Sequence, residues 1–402
     1  MMKIQIAHRA KAIKPSPTLA VSALAKQMKA NGIDVINFGV GEPDFDTPDY
    51  IKDAAHKALD NNFTRYTDSA GILELRQAIS DKLKNDNGLD YPASDILVSP
   101  GAKASIVFVL MTICDPRDEV LIPAPYWVSY TSQVEMVDAF PILLPTNMAN
   151  DFKITATQLE EAILTLSNPK ALILNSPNNP TGSVYSRQEL EEIAAVCVKH
   201  EIIIISDEIY EKLTYDGLEH VSIASVSPEA KAQTVLINGL SKAYAMTGWR
   251  LGYAAGPKEI IKCASRIQSH TTSCVNSITQ KAAVVALRHN QDSVIAMREE
   301  FERRRNYLVN ELNNIPNIKC CLPHGAFYAM PDISFYLHNN RKNIKDSVAF
   351  CEYVLKEHRV ALVPGSAFGA DELVRFSYAN SMENLVEGIK RFRAALNAIL
   401  EY

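Results

Sequence analysis

The sequence predicts an α/β protein. Its large domain has a mostly parallel, doubly wound (mixed) sheet flanked by helices, and a smaller domain is α+β in character. Between about residues 50 and 290, short runs of Ile, Leu and Val alternate with helical segments. Such strands are buried on both faces, which is typical of parallel sheets covered by helices. After residue 290 the pattern changes to a long charged helix, short strands and an amphipathic closing helix.

The same patterns divide the chain into three parts. Residues 1–45 form an N-terminal arm and part of the small domain, 46–290 the large domain, and 291–402 the small C-terminal domain. A capping-box sequence at Ser186 and Glu189 begins one helix of the large domain. The predicted strands are 35–38, 96–99, 119–122, 171–175, 202–206, 234–237, 325–330, 360–363 and 373–378. The two late helices carry one-face apolar stripes at Met297, Phe301, Leu308 and Leu312, and at Leu385, Ile389, Phe392, Leu396 and Ile399.

Composition excludes several classes of protein. The net charge of −5 gives no basic surface for nucleic acid. The apolar runs are too short to cross a bilayer, and the N-terminus lacks the apolar block of a signal peptide. Seven cysteines without CxxC spacing argue for free thiols and against a zinc site. We therefore expect a cytoplasmic protein that binds neither nucleic acid nor membrane.

The stretch SKAYAMTGWRLGY, from Ser241 to Tyr253, holds the first candidate site residues. Lys242 follows a strand that Asn238 and Gly239 are expected to end, so it lies on a constrained loop. A lysine held in a cavity can lose its proton and form a Schiff base with a carbonyl. Arg250 suits a phosphate, and the two together suit an aldehyde cofactor that carries one. The alternative is a solvated surface pair.

Asp207 follows the β-branched run at residues 202–206, at the strand end where open α/β sheets place their ligands. In a pyridoxal phosphate site an aspartate holds the ring nitrogen protonated, so that the ring can accept electrons. Tyr210 lies three residues on and could donate to the phenolic oxygen of the ring. The alternative for Asp207 is a helix cap or a rim salt bridge.

Four further motifs follow strand-like runs. Asn179 in NSPNNPTG could donate its amide to a cofactor oxygen, or the loop could be a plain rigid turn. The turn before the helix at Ala102 and Lys103 presents free amides to a phosphate, although many such turns look alike. Trp127 is either a core aromatic or a flat surface for a ring. Arg375 either faces solvent or clamps a carboxylate.

Together these motifs resemble the class I/II aminotransferases of the pyridoxal-phosphate fold type I superfamily. They are most like the bacterial aspartate aminotransferase subgroup. The resemblance covers nearly the whole chain, and seven motifs in the family's order are highly specific where one alone is modest. The motifs are GEPDFDTP, SPGAKAS, PAPYWVSY, NSPNNPTG, SDEIYEKL, SKAYAMTGWRLGY and RFSYA.

The resemblance implies a role for each motif residue, with 46–290 as the cofactor-binding domain. Lys242 would be the Schiff-base lysine and proton shuttle, with Asp207 and Tyr210 as its catalytic partners. A homodimer follows from the resemblance, because a tyrosine of the neighbouring subunit reaches the phosphate. The implied pyridoxal phosphate contacts are Lys242, Ala102, Lys103, Trp127, Asn179, Asp207, Tyr210, Arg250 and the partner's Tyr66. The implied substrate contacts are Gly41, Trp127, Asn179, Arg375, Lys14 and Lys103.

The implied reaction is amino transfer between aspartate or glutamate and 2-oxoglutarate or oxaloacetate. Lys103 matches a position that can contact the distal carboxylate, and Lys14 one linked to prephenate. Many members have a serine two to three positions before the lysine, where this chain has Gly239 and Leu240. An aromatic or kynurenine-type aminotransferase and a pyridoxal-phosphate β-lyase or cyclopropane-forming synthase stay open. A non-catalytic ligand-binding regulator would need a basic recognition helix, which the sequence lacks.

Overall fold

The computed structural model describes residues 5–7, 10–11, 13 and 17–401, and a seven-stranded sheet is at its centre. The strands are β1 (Ile36–Asn37), β2 (Ile96–Ser99), β3 (Glu119–Ala124), β4 (Phe140–Pro145), β5 (Pro169–Asn175), β6 (Ile203–Asp207), β7 (Thr234–Gly239), β8 (Gly252–Ala255), β9 (Tyr328–Ala329), β10 (Val360–Ala361), β11 (Val363–Pro364) and β12 (Val374–Ser377). The strand order in the seven-stranded sheet is β2-β8-β7-β6-β5-β3-β4. Only β8 is antiparallel, to both β2 and β7, so the predicted mostly parallel, mixed sheet is confirmed.

Helices cover both faces of this sheet. Ile173 and Ile205 pack in one apolar cluster with Val109 of the helix Ala102–Ile113. Their neighbours Leu172 and Ile204 point the other way and pack in a second cluster. This alternation follows from the two-residue period of a strand. The helices are Pro17–Ala30, Asp49–Asp60, Leu73–Asn87, Ala102–Ile113, Ser129–Met136, Ala156–Thr165, Arg187–Lys199, Pro228–Gln233, Lys258–Thr271, Ser277–Arg288, Asp292–Asn313, Ser334–Asn339, Ser347–His358 and Met382–Leu400.

A separate apolar cluster lies under the C-terminal part of the chain. The apolar stripes predicted for the helices Asp292–Asn313 and Met382–Leu400 are buried in it, together with Ile36 and Phe38 from the N-terminal part. Strand β1 pairs with β10, and β11, β12 and β9 form a small antiparallel sheet. The same cluster also contains residues 209–215, and the division at residues 45 and 290 stays a prediction. In the described part of the chain, no helix is long and apolar enough to cross a membrane.

One expectation about the central sheet is wrong. Asn238 and Gly239 do not break the strand after Ile237; they belong to β7, because they pair with Tyr253 and Gly252 of β8. A Cβ at Gly239 would lie 2.8 Å from the carbonyl oxygen of Leu251, so the close strand approach needs glycine there. The extension carries the chain directly into the lysine loop.

Candidate active site

A cavity of about 410 Å³ opens beyond the carboxyl ends of β5, β6 and β7. This is the edge at which open α/β sheets bind ligands. The cavity brings together residues that are up to 349 positions apart in the chain (26 to 375). Ten of the predicted site residues line it: Gly41, Ala102, Lys103, Trp127, Asn179, Asp207, Tyr210, Lys242, Arg250 and Arg375.

Two predicted residues are not among those that line the cavity. The side chain of Tyr66 is 90% exposed on this single chain. Its predicted role belongs to a second subunit and stays a prediction. Lys14 lies outside the described residues.

Lys242 lies three residues beyond the end of β7 and points into the cavity. Its Nζ donates a hydrogen bond to the carbonyl oxygen of Gly41 at 2.6 Å. Desolvation lowers the pKa of Lys242 to about 8. The negative charge of Glu42 opposes this decrease, and the positive charge of Arg375 adds to it. A neutral amine is therefore accessible near neutral pH, which is what attack on a carbonyl requires.

Asp207 ends β6 with its carboxylate buried in the cavity wall. Tyr130 donates its hydroxyl to Asp207 Oδ2 at 2.6 Å, and the backbone N–H of Ile209 donates to Oδ1 at 3.3 Å. Burial raises the pKa of Asp207 to about 6, and these two hydrogen bonds oppose that rise. The carboxylate is therefore ionised at neutral pH and can hold a cationic ring nitrogen.

Sequence reasoning missed Tyr130. Its hydroxyl contacts Asp207 across 77 positions, and its ring meets Trp127 edge-on with centroids 5.2 Å apart. One side chain thus supports both the buried acid and the flat indole that faces the cavity. The only signal in the sequence is its place in the PAPYWVSY motif, three residues after Trp127.

The loop after β5 is fixed by the side chain of Asn175. Its Oδ1 accepts from the backbone N–H of Asn179 at 2.8 Å, and its Nδ2 donates to the carbonyl oxygen of Asp207 at 2.8 Å. Asn179 in turn accepts from Arg375 Nη1 through its own Oδ1 at 3.0 Å. The amide nitrogen of Asn179 is then the donor that faces a ligand.

One corner of the cavity is built for an anion. Gly101, at φ 90°, precedes the helix Ala102–Ile113, and a Cβ there would lie 2.6 Å from Arg250 Nη2. Arg250 itself has a left-handed backbone and donates from Nη1 to the Thr247 carbonyl oxygen at 2.9 Å. Free helix amides and a guanidinium at one point form a phosphate site.

Arg375 provides a second cationic point, buried in the cavity wall. Its guanidinium carbon lies 4.4 Å from the ring centroid of Tyr328 and 5.0 Å from that of Phe368. Its Nη2 donates to the carbonyl oxygen of Gly39 at 3.0 Å. Within residues 17–401, no carboxylate forms a salt bridge with Arg375, and its Nε has no hydrogen-bond partner. A buried, uncompensated cation at a cavity is suited to a carboxylate ligand.

A family model, Aminotransferase class I and II, matches residues 33–392. The chain belongs to this family, whose members depend on pyridoxal phosphate. The aspartate aminotransferase of Bacillus sp. (strain YM-2) is 47% identical to it over 390 residues, covering 97% of this chain and 98% of that protein. The aspartate/prephenate aminotransferase of Nitrosomonas europaea is 46% identical over 399 residues, covering 98% and 100%. The crystal structure of the Rhizobium meliloti aspartate aminotransferase superposes with a TM-score of 0.95 at 41% identity, covering 99% and 100%.

The cavity fits pyridoxal phosphate on features of its own. The anion corner at Gly101 and Arg250 suits the phosphate, and the space beside Gly101 is one that a Cβ would fill. The buried carboxylate of Asp207 suits the ring nitrogen, and Lys242 has an amine that can be neutral. Trp127 supplies a flat wall.

Proposed function

We propose that the protein moves an amino group between L-aspartate or L-glutamate and a 2-oxo acid, oxaloacetate or 2-oxoglutarate. The observation that carries the proposal is a single cavity in which, besides the phosphate corner and Lys242, two cationic side chains are each suited to a carboxylate. These are Arg375 for the α-carboxylate and Lys103 for the side-chain carboxylate. Relatives named as aspartate aminotransferases at 45–47% identity support the same substrates.

The proposed chemistry divides among few residues. When bound, pyridoxal phosphate supplies an electron-accepting ring for the α-carbon of the amino acid. Lys242 Nζ takes the α-proton as general base and returns a proton later. The Asp207 carboxylate holds the proton on the ring nitrogen. Arg375 and Asn179 orient the α-carboxylate, so that the α-hydrogen is presented to Lys242.

Lys103 supports an acidic substrate. Its Nζ lies 4.7 Å from the ring centroid of Trp127, on the wall of the same cavity. Burial lowers its pKa, and the charge of Arg250 lowers it further. The ammonium group is partly desolvated without a carboxylate partner among the described residues, so a substrate carboxylate there gains a strong charge-assisted contact.

Replacing Lys103 by methionine is expected to raise KM for aspartate and glutamate by about 10- to 100-fold, the effect of one lost charge-assisted hydrogen bond. KM for alanine should change less than about threefold, because alanine has no second carboxylate. Steady-state assays of the wild type and the variant, with the acidic donors and with alanine, measure the change in KM for each donor. Alanine is thus an internal control for folding and cofactor loading, and an equal loss for both donors would contradict this role of Lys103.

A panel of amino donors with 2-oxoglutarate or oxaloacetate tests the substrate assignment itself. Aspartate and glutamate should be the best donors, and an advantage of more than tenfold for alanine or aromatic donors would contradict the proposal. Prephenate is included as an acceptor because the Nitrosomonas europaea relative is named for it. Repeated turnover, with more than one product molecule per subunit, in the absence of any oxo-acid acceptor would indicate the β-lyase alternative.

A homodimer in the cytoplasm is part of the proposal. A second cavity, of about 730 Å³, shares Arg250 with the first and opens to the surface between Phe45 and Asn276. The exposed Tyr66 supports entry of a partner's tyrosine at this point. Seven cysteines without a disulfide support a reducing compartment.

A further inference from the structure

Two tyrosine hydroxyls meet in the wall of the cavity. Tyr210 Oη and Tyr328 Oη lie 2.9 Å apart, and both side chains are buried. Their rings are edge-to-face, with centroids 5.9 Å apart. Neither hydroxyl has another hydrogen-bond partner recorded among the described residues, so this contact decides how their protons are directed.

Tyr328 also touches the carboxylate clamp. It lies on β9 opposite Ser377 of β12, so Arg375 is its diagonal neighbour two positions along that strand. The guanidinium carbon of Arg375 lies 4.4 Å from the centre of the Tyr328 ring. The hydroxyl of Tyr328 also lies close to Gly41, since a Cβ on Gly41 would be 3.3 Å from Tyr328 Oη. The ring of Tyr328 therefore fixes Arg375, while its hydroxyl reaches Tyr210.

The direction of the hydroxyl contact follows from proton counting. Each hydroxyl has one proton to donate. If Tyr210 donates to the ring oxygen of the cofactor, its own oxygen must accept from Tyr328. Burial raises the pKa of both hydroxyls, and Arg375 opposes the rise at both. Their mutual hydrogen bond raises the pKa of Tyr210 and lowers that of Tyr328, which is in line with donation by Tyr328.

We propose that Tyr328 is a positioning residue that links the carboxylate clamp to the ring-oxygen contact of the cofactor. Its ring holds Arg375, and its hydroxyl donates to Tyr210 and strengthens the donation by Tyr210 to the ring oxygen. The charged groups that face this pair are Lys242, Asp207, Arg375 and Glu42. The inference rests on the proposed function, since both contacts belong to the cofactor-loaded enzyme.

The two contacts can be separated by two substitutions. Tyr328→Phe keeps the ring over Arg375 and removes only the hydroxyl. The pH midpoint of the visible band of the loaded enzyme should then rise by roughly 0.5 to 1 unit, because the ionised ring oxygen loses support. KM for aspartate should stay within about twofold. Tyr328→Leu also removes the ring and should raise KM about tenfold or more, through the lost stack on Arg375.

A double substitution distinguishes positioning from a merely structural effect. In a Tyr210→Phe background, adding Tyr328→Phe should move the midpoint no further, because Tyr328 acts through Tyr210. Tyr336→Phe is the matched control, since it removes a buried hydroxyl that donates to the Pro316 carbonyl oxygen at 2.7 Å outside the cavity. Its midpoint should equal that of the wild type.

Two outcomes overturn the inference. One is a Tyr328→Phe midpoint equal to that of the wild type, and the other is an additive further shift in the Tyr210→Phe background. Thermal unfolding of each cofactor-free variant shows whether a change reflects loss of the fold. Failure of the wild type itself to bind pyridoxal phosphate or to transfer amino groups would instead contradict the proposed function.

Discussion

Lys242→Ala is expected to abolish amino transfer, with turnover at least about 10⁴-fold lower, because both the attacking amine and the general base are lost. The folded protein should survive, since the Lys242 amine makes one hydrogen bond among the described residues, to Gly41, and burial lowers its pKa by disfavouring its charge. Spectroscopy should show loss of the visible band of the lysine-linked cofactor. Borohydride reduction followed by peptide mass analysis should label the wild-type peptide that contains Lys242.

Lys103 is the matched control, because it lies in the same cavity and is also an amine. Lys103→Ala should keep the visible band and the borohydride label on the Lys242 peptide. A label that follows Lys103, or amino transfer retained by Lys242→Ala, would show that the attacking amine has been misassigned.

The substitution Asp207→Asn is expected to have the second large effect on turnover. It keeps the shape of the side chain but removes the charge that holds a cationic ring nitrogen. We expect a loss of about 10²- to 10⁴-fold in kcat, the range for one preorganised electrostatic or acid–base contact. The hydroxyl of Tyr130 can still donate to the amide oxygen, so the fold around β6 should persist. Activity equal to that of the wild type would contradict the role of Asp207.

The affinity for the cofactor should depend on pH through the protonation of Asp207. Burial raises the pKa of Asp207 from 3.8 to about 6, so the carboxylate protonates as the pH falls through about 6. The protonated carboxyl group no longer pairs with the cationic ring nitrogen, so the affinity for pyridoxal phosphate should fall below this pH. The Asp207→Asn variant should bind pyridoxal phosphate weakly at every pH and should not show this fall in affinity. Fluorescence titration of both proteins at a series of pH values measures the difference.

The residues that follow strands could be predicted from the sequence. Each of Asp207, Asn179 and Lys242 follows an apolar run that is a strand. Because the carboxyl ends of parallel strands meet at one edge of the sheet, these side chains lie at the same cavity. Tyr130 and Tyr328 could not, because their roles depend on contacts across 77 and 118 positions. Those distances are set by packing, which no local pattern encodes.

Two strands of the central sheet, β4 and β8, are not among those predicted from the sequence. Strand β4 contains Pro141 and Pro145, which weaken its strand signal and are tolerated because it lies at the sheet edge. Strand β8 consists of Gly252, Tyr253 and two alanines. Its small residues serve a close approach, since a Cβ on Gly252 would overlap the backbone of Ala102. This requirement becomes visible only when the helix that begins at Ala102 is in place.

A single half-reaction tests the central claim most directly. The enzyme loaded with pyridoxal phosphate is mixed with L-aspartate in the absence of any 2-oxo acid, while absorbance and products are followed. We expect loss of the visible band, release of one oxaloacetate per subunit, and return of the band when 2-oxoglutarate is added. Continued turnover of aspartate without an acceptor, or release of ammonia in place of oxaloacetate, would contradict amino transfer by this site.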